Sequence, residues 1–260
     1  MQQTSTTAFA RLRQLALIIT TALVISACGT SPTEPSAAQA AFSHKATTPA
    51  PRDRDYEWMS LVNWHERFLD DVKAARGGDI DLLFLGDSIT QGWPEEMFAH
   101  YFNQWRPANF GIGGDHTGNV LWRLQFGEVE KIQPRVVVLL IGINNFFHNG
   151  DQPDDVFQGV KAVVEKLQAT WPDAKILLNG ILPHQHAADH PMRQTIIDTN
   201  KMIKSLGDEQ QIFYRDYGLL MLEADGTLSP RIMPDSLHPA EPGYKIWAEA
   251  MLPLLQSWLD

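Results

Sequence analysis

Ser88 closes the run Leu82-Leu83-Phe84-Leu85-Gly86-Asp87-Ser88. An apolar strand that ends at a glycine delivers the next polar side chains to the edge of a sheet. A hydroxyl placed there becomes a nucleophile when a base lies beside it. Far downstream stand Asp235 and His238, three residues apart. A carboxylate that accepts from one ring nitrogen fixes the imidazole tautomer and leaves the other nitrogen free to take a proton. The three residues together suggest a serine hydrolase. Each also has a plainer reading: Ser88 and Asp235 can cap a helix or turn, and a lone histidine is more often structural. The fuller elbow G-x-S-x-G is absent because position 90 is Thr, which argues against a standard α/β-hydrolase.

Three other groups carry chemistry. Gly111, Gly113 and Gly114 either serve a turn or let backbone N–H groups approach a ligand closely. Asn144 and Asn145 follow a β-branched run, where an amide either satisfies loop backbone or donates to an oxyanion. His184, His186 and His190 cluster around Asp189, and His-x-His is a transition-metal pattern. No H-E-x-x-H helix or cysteine cluster accompanies them, so a pocket rim or a solvated loop is the plainer reading.

These residues need a scaffold, and hydrophobic periodicity supplies one. Strands are expected at Ile80 to Leu85, Ala108 to Phe110, Arg135 to Ile141, Lys175 to Asn179 and Gln211 to Arg215. Trp58, Leu61, Val62, His65, Phe68, Leu69 and Val72 recur at helical spacing before Gly77-Gly78. Further stripes run through Val156, Phe157, Val160, Val163, Val164 and Leu167, through Met192, Ile196, Ile203 and Leu206, and from Tyr244 to Trp258. Strands alternating with helices make a parallel sheet covered on both faces. In such sheets the site lies beyond the carboxyl ends of the strands. The loops that begin at Asp87, Gly111, Gly142 and Pro183 should therefore gather at one edge.

The N-terminal part reads differently. Arg11 and Arg13 precede an apolar stretch, Leu15 to Ala27, that is short for a membrane span and typical of a secretory signal. Ile25-Ser26-Ala27-Cys28 resembles a bacterial lipobox, and Cys28 is the single cysteine, which excludes an intrachain disulfide. Lipidation there implies an extracytoplasmic protein held on the cell envelope. Residues 1–27 are expected to be the signal, 28–55 a flexible tether rich in Ser, Thr, Pro and Ala, and 56–260 one folded domain. The formal charge of −10 argues against nucleic acid as a partner, although a local basic patch remains compatible with it.

Gly86-Asp87-Ser88, the glycine loop, Gly142-x-Asn144 and Asp235-x-x-His238 resemble, in order, the four blocks of the SGNH (GDSL) hydrolase family. Asn109 to Asp115, Val120 to Leu124 and Gly142-Ile143-Asn144-Asn145 are similar to the platelet-activating-factor acetylhydrolase catalytic-subunit-like esterases, with Ile143 where threonine is usual. The resemblance implies a three-layer α/β/α flavodoxin-like fold with a five-stranded parallel sheet in the order 2-1-3-4-5. It also implies ester hydrolysis without metal or cofactor. By the family pattern Ser88 is the nucleophile, His238 the base and Asp235 its orienter. The Ser88 and Gly114 N–H groups and the Asn144 amide form the oxyanion hole. Asp87, Asp115, Ile143, Asn145 and Leu237 are expected around the substrate pocket. The expected substrate is a short-chain ester, with acetyl favoured. Glycan deacetylase, lysophospholipase and thioesterase are alternatives within the fold, and an acyl-glycan binding protein is the non-enzyme alternative. Related subunits dimerise, so a homodimer is compatible with the resemblance.

Overall fold

A computed structural model describes residues 45–260. The expected signal, Cys28 and the first part of the expected tether lie outside the described residues. The sheet has five parallel strands: β1 (Leu82–Gly86), β2 (Pro107–Gly111), β3 (Val136–Leu140), β4 (Lys175–Asn179) and β5 (Ile212–Arg215). Their order is β2-β1-β3-β4-β5, and the register pairs Gly86 with Gly111 and with Leu140. β1 and β3 are buried along their whole length, as strands covered on both faces must be.

The helices are α1 (Leu61–Gly77), α2 (Ser88–Gln91), α3 (Glu95–Phe102), α4 (Thr117–Phe126), α5 (Pro153–Thr170), α6 (Pro191–Lys204) and α7 (Glu241–Leu259). α4, α5 and α6 pack in series, while α3 packs on α7. This is the arrangement that right-handed crossovers impose when the chain steps one way to β2 and the other way to β5. α5 buries Val156, Val160, Val163, Val164 and Leu167, the stripe read from the sequence apart from half-buried Phe157. α7 buries Tyr244, Trp247, Ala248, Met251 and Leu255 in the same manner.

α1 departs from its expected stripe. Its buried face is Trp64, Phe68, Val72 and Ala75, whereas Val62 and Leu69 point to solvent and Trp58 precedes the helix. The reason is tertiary. The Trp64 indole donates to Asp115 Oδ1 at 2.7 Å, and its ring packs on Phe68 and on Trp122 of α4. That contact fixes the rotation of the helix, so Leu61, Val62 and Leu69 lose the inward side.

The tether also ends earlier than expected. Residues 45–55 lie against the domain, with Ala46 and Arg52 buried. Thr117 Oγ1 donates to the Ala46 carbonyl, Asn119 Nδ2 to the Ala50 carbonyl, and Ala50 N–H to the Gly118 carbonyl. The N-terminal edge of α4 offers polar groups that this segment covers and satisfies.

Candidate active site

β1 ends at Gly86, where no side chain fits. A Cβ there would lie 2.3 Å from the Leu140 carbonyl and 2.2 Å from Thr90 Oγ1. The missing side chain lets the strand turn at once into α2. Asp87 caps that helix by accepting from the Ile89 N–H at 2.9 Å. Ser88 follows as its first residue. The first N–H groups of a helix have no acceptor inside it, so the Ser88 N–H is available for an incoming oxygen. Tyr244 of α7 locks the short helix by donating to the Ile89 carbonyl at 2.7 Å.

The base arrives from the loop before α7. His238 Nε2 lies 2.9 Å from Ser88 Oγ, and His238 Nδ1 lies 2.6 Å from Asp235 Oδ2. The second Asp235 oxygen accepts the backbone N–H groups of Leu237 and His238 at 3.0 and 2.7 Å. The capping role and the orienting role are therefore both filled by one residue. Burial pushes the Asp235 carboxyl up, but the bonds from the His238 ring and from the two N–H groups outweigh it and hold the carboxyl below its usual range. The turn requires Ser236 at φ 65°. Its carbonyl is held by His184 Nδ1 at 2.8 Å and by the Gln185 N–H at 3.1 Å.

A carbonyl only accepts, so His184 carries its proton on Nδ1, and its Nε2 then accepts from Gln185 Nε2 at 2.7 Å. Burial lowers the pKa of His184. His186 Nδ1 meets the Leu228 carbonyl at 2.7 Å, and the His190 ring caps α6. Among the described residues no three His, Cys, Asp or Glu side chains gather as metal ligands would. His184, His186 and His190 are thus used one by one to brace loops.

The loop after β2 makes the facing wall. Ile112 to Asp115 form a tight turn closed by the Asp115 N–H on the Ile112 carbonyl, with Gly114 at φ 75° in the left-handed region that glycine favours. Gly113 N–H donates to Gln91 Oε1 at 2.7 Å, which ties this turn to α2. From the loop after β3, Asn144 Nδ2 donates to the Asp115 carbonyl at 3.0 Å. The three expected oxyanion donors therefore come from loops stitched to one another.

Four residues expected around the pocket are buried. Asp87, Asp115 and Asn145 are 0 % exposed and Ile143 is 2 % exposed, so none of them lines an open surface. Asp115 is instead a buried acceptor for Trp64 and for Arg123 Nε, and Arg123 also reaches the carbonyls of Gly86 and Phe110. Asn145 bridges Thr117 and Asp151. These residues hold the loops in register. Burial raises the Asp87 carboxyl to about 7, partly offset by its bond from Ile89. Leu237 stays half-buried beside the base.

The sequence reading missed one further wall. Trp58 lies against the glycine turn, so close that a Cβ on Gly114 would meet its ring at 2.4 Å. It stacks on Tyr56, with ring centroids 5.0 Å apart, and Tyr56 in turn stacks on His148. Aromatic density just before the Ser60 cap of α1 was the available signal. The helical spacing absorbed Trp58 into a stripe to which it does not belong.

A serine hydroxyl beside an oriented imidazole makes an acyl-transfer site. The model of the GDSL-like lipase/acylhydrolase family matches residues 84–246 and so spans every one of these groups. The chain belongs to this family. It is similar to the human platelet-activating factor acetylhydrolase IB subunit alpha1, at 35 % identity over 204 residues, 77 % of this chain and 84 % of that one. A GDSL-like lipase from Bacteroides thetaiotaomicron shares the fold with TM-score 0.60 at 22 % identity, over 74 % of this chain and 97 % of its own. An acetyl xylan esterase does so with TM-score 0.58 at 24 % identity, over 68 % and 100 %. As a member of this family, the chain is a carboxylic ester hydrolase.

Proposed function

We propose that this esterase removes acetyl groups through an acyl-enzyme on Ser88. The unbroken chain Asp235–His238–Ser88 carries the reading. Ser88 Oγ attacks the ester carbonyl as His238 Nε2 takes its proton. Asp235 stabilises the imidazolium that forms. The Ser88 and Gly114 N–H groups and the Asn144 amide receive the developing oxyanion. His238 returns the proton to the leaving alcohol, and water repeats the cycle to free acetate. The acetyl preference is supported by the relatives named as acetylhydrolases. Ser88→Ala should abolish both hydrolysis of p-nitrophenyl acetate and labelling by a fluorophosphonate. Retained turnover in that variant, or a preference of the wild type for long-chain esters, would overturn the corresponding part of the reading.

A second reading, deacetylation of a glycan, is favoured by Trp58. Its ring is 56 % exposed beside the glycine turn, as a platform for the apolar face of a sugar would be. We further propose that lipidated Cys28 anchors the enzyme to the bacterial cell envelope with the domain on the extracytoplasmic side. Metabolic labelling with a clickable fatty acid should mark the wild type and not Cys28→Ser. Equal labelling of the two would remove the anchor.

A further inference from the structure

Within the turn Ile112 to Asp115, the N–H groups of Gly113 and Asp115 are both used. Gly113 donates to Gln91 Oε1 at 2.7 Å, and Asp115 to the Ile112 carbonyl at 3.2 Å. Gly114 between them is buried, and among the described residues its N–H meets no acceptor. A buried amide without a partner is costly, and an incoming oxygen removes that cost. It is the N–H that the proposed mechanism gives to the oxyanion. Its direction is set by the peptide unit to which it belongs, and the other end of that unit is the Gly113 carbonyl.

Arg52 holds that carbonyl. Its Nη2 donates to the Gly113 oxygen, and a Cβ built on Gly114 would lie 2.8 Å from the same nitrogen. Among the described residues this is the one hydrogen bond that the guanidinium makes. Asp115 does not depend on it. The Asp115 oxygens receive Trp64 and Arg123 at 2.7 and 2.8 Å, whereas Arg52 stands 3.6 Å away. The cation is 6 % exposed and lies over the rings of Tyr56, Trp58 and Trp64, 5.0, 5.7 and 5.9 Å from their centroids. Three ring faces and one carbonyl thus keep it in a single place. A buried guanidinium is more than the 45–55 segment needs for docking, since Thr117, Asn119 and Gly118 already bind that segment.

In a trans peptide the C=O and the following N–H point in opposite directions. A cation on the Gly113 carbonyl therefore sits behind the Gly114 N–H and leaves its front open. It acts on that donor in two ways. With the Gln91 bond to Gly113 on the other side, it pins the peptide plane, so the N–H does not swing off line. It also draws electron density toward the carbonyl oxygen, which makes the N–H of the same amide a stronger donor. We propose that Arg52 is a positioning residue of the oxyanion hole, acting on the oxyanion through the Gly113–Gly114 peptide. The role rests on the proposed acyl-enzyme mechanism, in which the Gly114 N–H receives the oxyanion. It gives the 45–55 segment a part in turnover that its contact with α4 alone would not.

Full-length Arg52→Gln and Arg52→Met, measured beside the wild type on p-nitrophenyl acetate, test this. Methylboronic acid is the second probe, because its anionic tetrahedral adduct with Ser88 places an oxygen where the oxyanion forms. kcat/KM should fall about tenfold, less than the ~10²–10³ of a deleted donor, because the Gly114 N–H remains. The inhibition constant of methylboronic acid should rise by about the same factor, since substrate transition state and adduct lose the same interaction. A residue that only docks the 45–55 segment would lower Tm and leave both quantities unchanged in the folded enzyme. Arg52→Met keeps an unbranched stem among the three rings, so it reads the role even where Arg52→Gln does not fold. Folded variants with wild-type kcat/KM, or with reduced kcat/KM and unchanged boronate affinity, overturn the role of Arg52 alone. Wild-type protein without ester hydrolysis overturns the acyl-enzyme reading and this role with it.

Discussion

Asp235 serves two ends with its two oxygens. One caps the turn that carries His238, and the other receives the His238 ring. Position and tautomer of the base are thus set by the same carboxylate. Asn144 is similarly divided. Its amide spends one N–H on the Asp115 carbonyl, which aims the other away from that carbonyl. Asn144→Ala should lower kcat by ~10²–10³, because it removes a donor to the oxyanion together with the bond to the Asp115 carbonyl. Steady-state kinetics on p-nitrophenyl acetate would check this, and wild-type turnover would remove Asn144 from the mechanism. At this scale the contacts that join Ser88, His238 and Asp235 were legible in sequence. Asp87, Asp115 and Asn145 were legible as important polar residues, but their use as buried braces was not. A polar side chain after a strand looks the same whether it faces a substrate or an interior partner.

At the scale of elements, the loops after β1, β2 and β3 meet because parallel strands end on one side. The loop after β4 adds a support that no motif announces. His184 donates to the Ser236 carbonyl and so steadies the turn between Asp235 and His238. His184→Ala should leave the fold cooperative and lower kcat by roughly tenfold, since a misplaced base costs rate before it costs binding. His184→Asn, which keeps a donor, should recover part of the loss. An unchanged kcat in the alanine variant would show that the turn holds itself. The helices were legible where the stripe alone decides burial, as in α5. α1 was not, because its rotation depends on one long-range bond from Trp64 to Asp115.

At the scale of the molecule, the 45–55 segment is part of the domain. It closes the N-terminal end of α4 and places Arg52 under the glycine turn. Deleting residues 1–55 should therefore lower Tm by several degrees and reduce turnover of p-nitrophenyl acetate. Deleting residues 1–44 should leave both nearly unchanged. Equal melting curves for the two truncations would return the segment to the role of a tether. Its first part, Ala46 to Pro51, holds only Ala, Thr and Pro and resembles a linker because it contacts α4 through its backbone. Composition does not register that kind of packing.

The sequence by itself determined the parallel sheet covered on both faces and the edge of it that carries chemistry, and its family resemblance supplied the strand order, the nucleophile and the base. Strand and helix periods are local, and right-handed crossovers leave little freedom once the elements are in order. Tertiary structure alone decided which polar residues face solvent and which are buried braces. It decided the rotation of α1, the placement of Trp58 on the glycine turn and the bond from Arg52 to the Gly113 carbonyl. Those outcomes depend on bonds between residues far apart in the chain, and nothing in the neighbourhood of either partner signals the other.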